Sequence, residues 1–140
     1  MNQNKQWIES WRIRDYAPNA LSGISYTDNT FRIEDLDSNG IAEVSFMYTI
    51  YSDGCESFVS KLLMHIGKQK IAIRGRIPKE MAFLDDYEKN VDSLFNKYDA
   101  KIKERASCLW DYGVYLTVKS ILEKDAMMRI IKSFDFECVN

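Results

Sequence analysis

The chain is short of the residues that most chemistry needs. It has one histidine, His65, and three cysteines, Cys55, Cys108 and Cys138, among 140 residues. No Cys-x-x-Cys or Cys/His spacing occurs, which speaks against zinc. The odd cysteine count makes free, reduced thiols the default expectation, and these fit a cytoplasmic compartment. A single Cys55–Cys108 or Cys55–Cys138 bridge is the alternative. No nucleophile pattern surrounds His65, so a strand histidine on a sheet surface is expected over a catalytic base. No G-x-S-x-G, Walker or dinucleotide fingerprint appears. No run approaches bilayer-spanning length. The opening Met-Asn-Gln-Asn-Lys-Gln-Trp lacks the apolar stretch of a signal peptide. The expectation is a cytoplasmic protein, or a cell-envelope one if the chain is a processed product. A net charge of −2 offers no bulk attraction to nucleic acid or anionic membrane.

Apolar residues make up 46% of the chain, enough for one domain with a core that needs neither metal nor disulfide. Residues 1–77 read as mainly β and 78–140 as mainly α. Trp7, Ile8, Trp11 and Ile13 form an aromatic opening segment, helix or edge strand. Ser22 to Asn29 is loop or weak strand. Phe31–Leu36 and Ile41–Tyr51 are rich in β-branched and aromatic residues and predict strands. Residues 57–66 fit helix or strand, and strand is preferred because Gly67-Lys68 then turns the chain into Ile71 and Ile73 as a hairpin. After Pro78 the steps Leu84, Tyr87, Val91, Leu94, Phe95, Tyr98 and Ile102 predict one long helix face. Beyond Cys108 helix and strand are harder to tell apart over 109–140. Val114, Val118, Ile121 and Leu122 suggest another helix, Asp125 could cap a short one, and Phe134–Val139 suggests a closing strand. Strands first and helices after is the α+β pattern: an antiparallel sheet of hairpins packed against C-terminal helices.

The chemistry concentrates in Asp35-Leu36-Asp37-Ser38-Asn39-Gly40-Ile41-Ala42-Glu43. Oxygen-bearing side chains at alternate positions, a glycine and a closing acid suit a hard cation such as calcium. An EF-hand needs a glutamate at position 12, where Phe46 stands. The spacing instead resembles the Asp-x-Asp-x-Asn-Gly-x-x-Glu loops of FG-GAP and VCBS-type bacterial repeats. That resemblance implies side-chain ligands from Asp35, Asp37, Asn39 and Glu43 and the backbone carbonyl of Ile41. The other reading is a plain hairpin turn on Asn39-Gly40. A strict two-residue hairpin there would set Ile33 against Phe46 and put Asp35 and Asp37 on the apolar face. A looped-out segment, or a sheet that ends at Asp35, removes the conflict.

Other groups have quieter meanings. Asp85-Asp86 and Glu34-Asp35-Asp37 are carboxylate pairs of the kind glycosidases use, though Asp85-Asp86 also suits the start of a long helix. Lys68, Lys70, Arg74 and Arg76 form a basic stripe, either a solvated face or a docking patch for an acidic partner. Tyr48, Tyr51, Trp110, Tyr112 and Tyr115 are candidates for an aromatic surface or for core.

The run from Ile33 to Phe46, then Tyr48, Cys55, Lys61-Leu62-Leu63-Met64 and Ala72-Ile73-Arg74-Gly75, is similar to a bacterial family of uncharacterised proteins labelled as related to surface-polysaccharide biosynthesis. The likeness covers about residues 30–76. It implies a cell-envelope module with glycan affinity. The residues themselves favour a non-enzymatic protein that binds a protein partner, such as a toxin-neutralising immunity-type protein, its Asp35–Glu43 loop being either a polar turn or a calcium-stabilised staple. A metal-dependent enzyme acting on a sugar or phosphate through Asp35, Asp37 and Glu43 is the third reading.

Overall fold

A computed structural model describes residues 12–17, 21–54 and 57–140. The expected aromatic segment at Trp7, Ile8 and Trp11, and Cys55, lie outside the described residues. The fold is α+β. Strands β1 (Ser22–Tyr26), β2 (Arg32–Glu34), β3 (Glu43–Ser52), β4 (Phe58–Ile66), β5 (Gln69–Ile77) and β6 (Glu88–Val91) form one antiparallel sheet. The order is β1-β3-β4-β5-β6, and β2 pairs with β3 as well. Residues 57–66 are a strand. The hairpin into β5 turns on Gly67-Lys68, with Ile66 opposite Gln69 and Gly67 at φ 57°, a conformation open to glycine without penalty.

Alternation decides the two faces. Met47, Leu62, Met64, Ile66, Ile71, Ile73 and Ile77 point to the main core, where they meet the long helix α1, Ala100–Val118. The helix answers with Ile102, Ala106, Leu109, Trp110, Val114 and Val118, all with no exposed surface. These spacings of three and four form one stripe. Phe46, Tyr48, Leu63 and Ala72 form a second apolar cluster on the outer face, joined by Ile13 and Ile50.

The predicted long helix over residues 84–102 is absent. That stretch is a 3₁₀ segment Met81–Asp86, strand β6, and a second 3₁₀ segment Ser93–Lys97. The inward-facing residues were read correctly, since Leu84, Phe95 and Ile102 are buried. The path differs because two aspartates restart the backbone. Asp92 accepts the amide of Leu94 at 2.9 Å and Asp99 that of Lys101 at 2.9 Å, the local capping bonds that compete with a continuing helix. The open edge of β5 meanwhile recruits Glu88–Val91. Gly75 permits the close approach, because a Cβ there would overlap the backbone of Glu88. Val114 and Val118 belong to the end of α1, with Leu122 buried just beyond it. A short helix α2 spans Lys124–Met127; Asp125 lies in its first turn, and Glu123 occupies the cap position. Phe134–Val139 is not a strand. It ends in a 3₁₀ turn, Glu137–Val139, and its aromatics pack on α1, Tyr112 against Phe136 and Tyr115 against Phe134.

The expectation of free thiols is overturned for two cysteines. Cys108 on α1 and Cys138 are joined in a disulfide across 30 residues. Sequence spacing could not show that the tail folds back to the middle of α1. Peptide mapping under non-reducing conditions should recover the peptides carrying Cys108 and Cys138 as one linked species. Their recovery as separate thiol peptides from air-handled protein would contradict the pairing.

Candidate functional site

The acidic run is looped out of the sheet. β2 and β3 pair Ile33 with Val44 and Glu34 with Glu43, so residues 35–42 leave the ladder. This is not the strict hairpin register. Ser38 (φ 61°) and Gly40 (φ 83°) take the left-handed conformation, while Asn39 does not, so the turn is not the type I′ Asn-Gly turn. Asp35 and Asp37 thereby avoid the apolar face.

The loop's side chains fold over its own backbone. Asp35 accepts the amides of Asn39 at 3.0 Å and Gly40 at 2.9 Å, one on each oxygen. Asp37 accepts the Asn39 amide at 3.2 Å and its side-chain nitrogen at 3.0 Å. Asn39 Oδ1 accepts the Ile41 amide at 2.7 Å. Asp35, Asn39 and Ile41 are exposed, and Asp37 is half-buried.

Glu43 is the exception. It leads β3 and points to the helix side of the sheet, only 2% exposed. Its Oε2 accepts the Leu36 amide at 2.7 Å, which ties it to the loop. Its Oε1 is buried with no hydrogen-bond partner. Burial pushes the carboxyl above its usual range, and the charges of Asp37 and Asp35 push the same way. A buried carboxylate oxygen without a donor is an expensive group to keep. Among the described residues, no group of three or more histidine, cysteine or acidic side chains is gathered closely enough to hold a metal ion. Each carboxylate oxygen offers more than one lone pair, so the amide bonds of Asp35 and Asp37 do not use up their capacity. The calcium ligands expected from the sequence, Asp35, Asp37, Asn39, the Ile41 carbonyl and Glu43, thus lie in one loop but are not drawn together around one point, and Glu43 Oε1 is the buried side-chain oxygen among them without a partner.

The remaining groups disperse. Glu34, directly across from Glu43, is bound by Arg105 of α1 at 3.4 Å. Arg105 also donates to the Cys138 carbonyl at 3.0 Å. Asp85 and Asp86 sit at the end of a 3₁₀ segment, not the start of a helix, where Asp85 accepts from Arg129 and Asp86 from Ser57. His65 lies in β4 but is buried, not on an open surface. Burial and the nearby charge of Lys70 lower its pKa. The five aromatics do not form one surface: Tyr48 is buried on the outer face, and Trp110 is buried in the main core, donating to Tyr87 Oη at 3.1 Å.

Lys70, Arg74 and Arg76 are exposed on the outer face of β5, with Lys68 exposed in the turn before it. Sequence reading missed Asp15. It accepts from Lys61 Nζ and, at 2.7 Å, from Tyr48 Oη. The lysine contact holds its carboxyl below the usual range despite burial. The alternation of Ile13, Asp15 and Ala17 was the available signal. No helix among the described residues is long and apolar enough to cross a membrane. No family model, curated protein or solved structure matches this chain.

Proposed function

We propose that this domain is a non-enzymatic binding module whose Asp35–Glu43 loop is closed by a calcium ion. The observation that carries the reading is Glu43: a buried carboxylate, tied to the loop, with one oxygen lacking any donor. A hard cation would relieve that oxygen and the repulsion from Asp35 and Asp37 together. The ion would serve as a staple between the start of β3 and the loop, which explains why a polar stretch interrupts a hairpin.

The cell-envelope form of this reading gains support from the Cys108–Cys138 disulfide. Such bonds persist in oxidising compartments and are rare in the cytosol. Calcium at millimolar concentration belongs to the same surroundings. The cytoplasmic, immunity-type reading draws instead on the exposed arginines of β5.

Thermal unfolding with calcium against chelator tests the proposal. Extracellular calcium modules bind with dissociation constants of about 10⁻⁴–10⁻³ M. Calcium at ten times such a constant should add about 1.4 kcal/mol, and at a hundred times about 2.7 kcal/mol. Asp37→Asn should remove the shift. Equal melting of wild type in calcium and in chelator would overturn it.

A further inference from the structure

We propose that the outer face of β4 and β5 docks an extended acidic segment of a partner protein, and that residues 12–17 hold that face until the partner displaces them. The inference stands on a different part of the molecule from the calcium loop and is independent of it.

The register lays the outer side chains in rows across the sheet. One row runs Tyr26, Tyr48, Lys61, Arg74, Asn90, each directly opposite the next. The row beside it runs Ile24, Ile50, Val59, Arg76, Glu88. Lys61 and Arg74 are thus like charges on adjacent strands, an arrangement that destabilises a sheet unless an anion is shared. Asp15 supplies that anion to Lys61. Arg76 has Glu88 directly across from it, whereas Arg74 has Asn90 across from it and no ion pair with a carboxylate among the described residues; both arginines are exposed.

Asp15 arrives on a segment whose burial alternates. Ile13, Asp15 and Ala17 are half-buried, and Arg12, Arg14 and Tyr16 are exposed. Ile13 packs on the outer apolar cluster of Phe46, Tyr48, Leu63 and Ala72 while Asp15 meets Lys61. The segment is not a strand, so no ladder of backbone bonds fixes it. It shows what the face accepts: a segment with an apolar residue and an acid two positions apart, its side chains alternating between half-buried and exposed. Alternate side chains of an extended peptide repeat at about 7 Å, the same spacing as Arg74 and Arg76 on β5. A partner acid would satisfy Arg74, which neither Asp15 nor the Asn90 across from it does, and an acid two positions on would reach Arg76. The apolar cluster beside the cations favours a peptide over a polyanion that offers charge alone, and the net charge of −2 points the same way.

Fluorescence anisotropy with a labelled peptide alternating glutamate and isoleucine tests this, with a lysine–isoleucine peptide and a single-stranded oligonucleotide as comparisons. The acidic peptide should bind, Arg74→Glu should weaken it tenfold or more, and Asp15→Asn should strengthen it severalfold. Melting curves of both variants establish that they fold. Three results would overturn the docking surface: no binding at millimolar peptide, binding indifferent to Arg74→Glu, or equal binding of the lysine peptide. Tighter binding of the oligonucleotide would make the face a polyanion site instead. Weaker binding by a folded Asp15→Asn would remove the holding role of residues 12–17.

Discussion

Glu43→Gln should be more stable than wild type in chelator and less stable in calcium. In chelator the wild-type chain carries a buried carboxylate with an unpartnered oxygen. Such a group costs about 1–3 kcal/mol. The amide keeps an oxygen for the Leu36 amide and removes the buried charge that Asp35 and Asp37 repel. In calcium the wild type gains the ion and the variant loses its closing ligand, so the order reverses. The swing between the two conditions should reach about 3–5 kcal/mol, combining the relief of the buried charge with the ligand stabilisation. Paired melts in the two buffers read it directly. Variant and wild type moving in parallel would mean that Glu43 is only a structural acceptor for Leu36.

The pH dependence carries the same signature. Burial raises the Glu43 carboxyl above the ordinary 4.5. The folded chain therefore holds that proton at pH values where the unfolded chain has released it. Without calcium, the Glu43 contribution to stability is full below about 4.5 and declines as pH rises through the raised value. Glu43→Gln should lack that decline. Asp15 acts oppositely. Its carboxyl is lowered from 3.8, so its contribution is present above that value and disappears as pH falls through the lowered one. Calcium competes with the Glu43 proton, and its affinity should weaken as the solution becomes acidic.

Trp110→Ala should cost about 3–5 kcal/mol, the range for removing a buried large aromatic. Trp110 has no exposed surface and fills the main core between the sheet and α1. A Cβ on Gly75 would lie 3.2 Å from its ring, so the indole packs directly on the β5 backbone. Its Nε1 donates to Tyr87, just before β6. Truncation leaves a cavity and removes the donor to Tyr87 together. β6 should loosen first, since it is short and pairs only with β5. Chemical denaturation gives the size, and amide exchange at Glu88–Val91 gives the place. A loss below about 1 kcal/mol would mean that the core closes without the indole.

The hairpins of β3, β4 and β5 were legible because a period of two survives wherever one face is buried. Ile71, Ile73 and Ile77 against Lys70, Arg74 and Arg76 is such a case. The stretch from Leu84 to Ile102 was legible in what it buries but not in its path. Steps of three and four also fit a chain that restarts at Asp92 and Asp99, and periodicity does not weigh a capping aspartate against a continuing turn. The disulfide was hidden because it depends on where the tail folds. That Asp35 and Asp37 would leave the apolar face in a looped-out segment was legible, yet the burial of Glu43 was not. That burial follows from the β2–β3 register, which sends Glu34 and Glu43 to the helix side, where Arg105 answers only the first. Asp15 was passed over because its partners Lys61 and Tyr48 are brought to it only by the sheet.

Isothermal titration of calcium into the chelator-stripped chain tests the central claim most directly. The expected result is one ion per chain, bound in the range of about 10⁻⁴–10⁻³ M, tighter than magnesium and abolished by Glu43→Gln. No saturable heat from calcium, or the same isotherm from Glu43→Gln as from wild type, would contradict it.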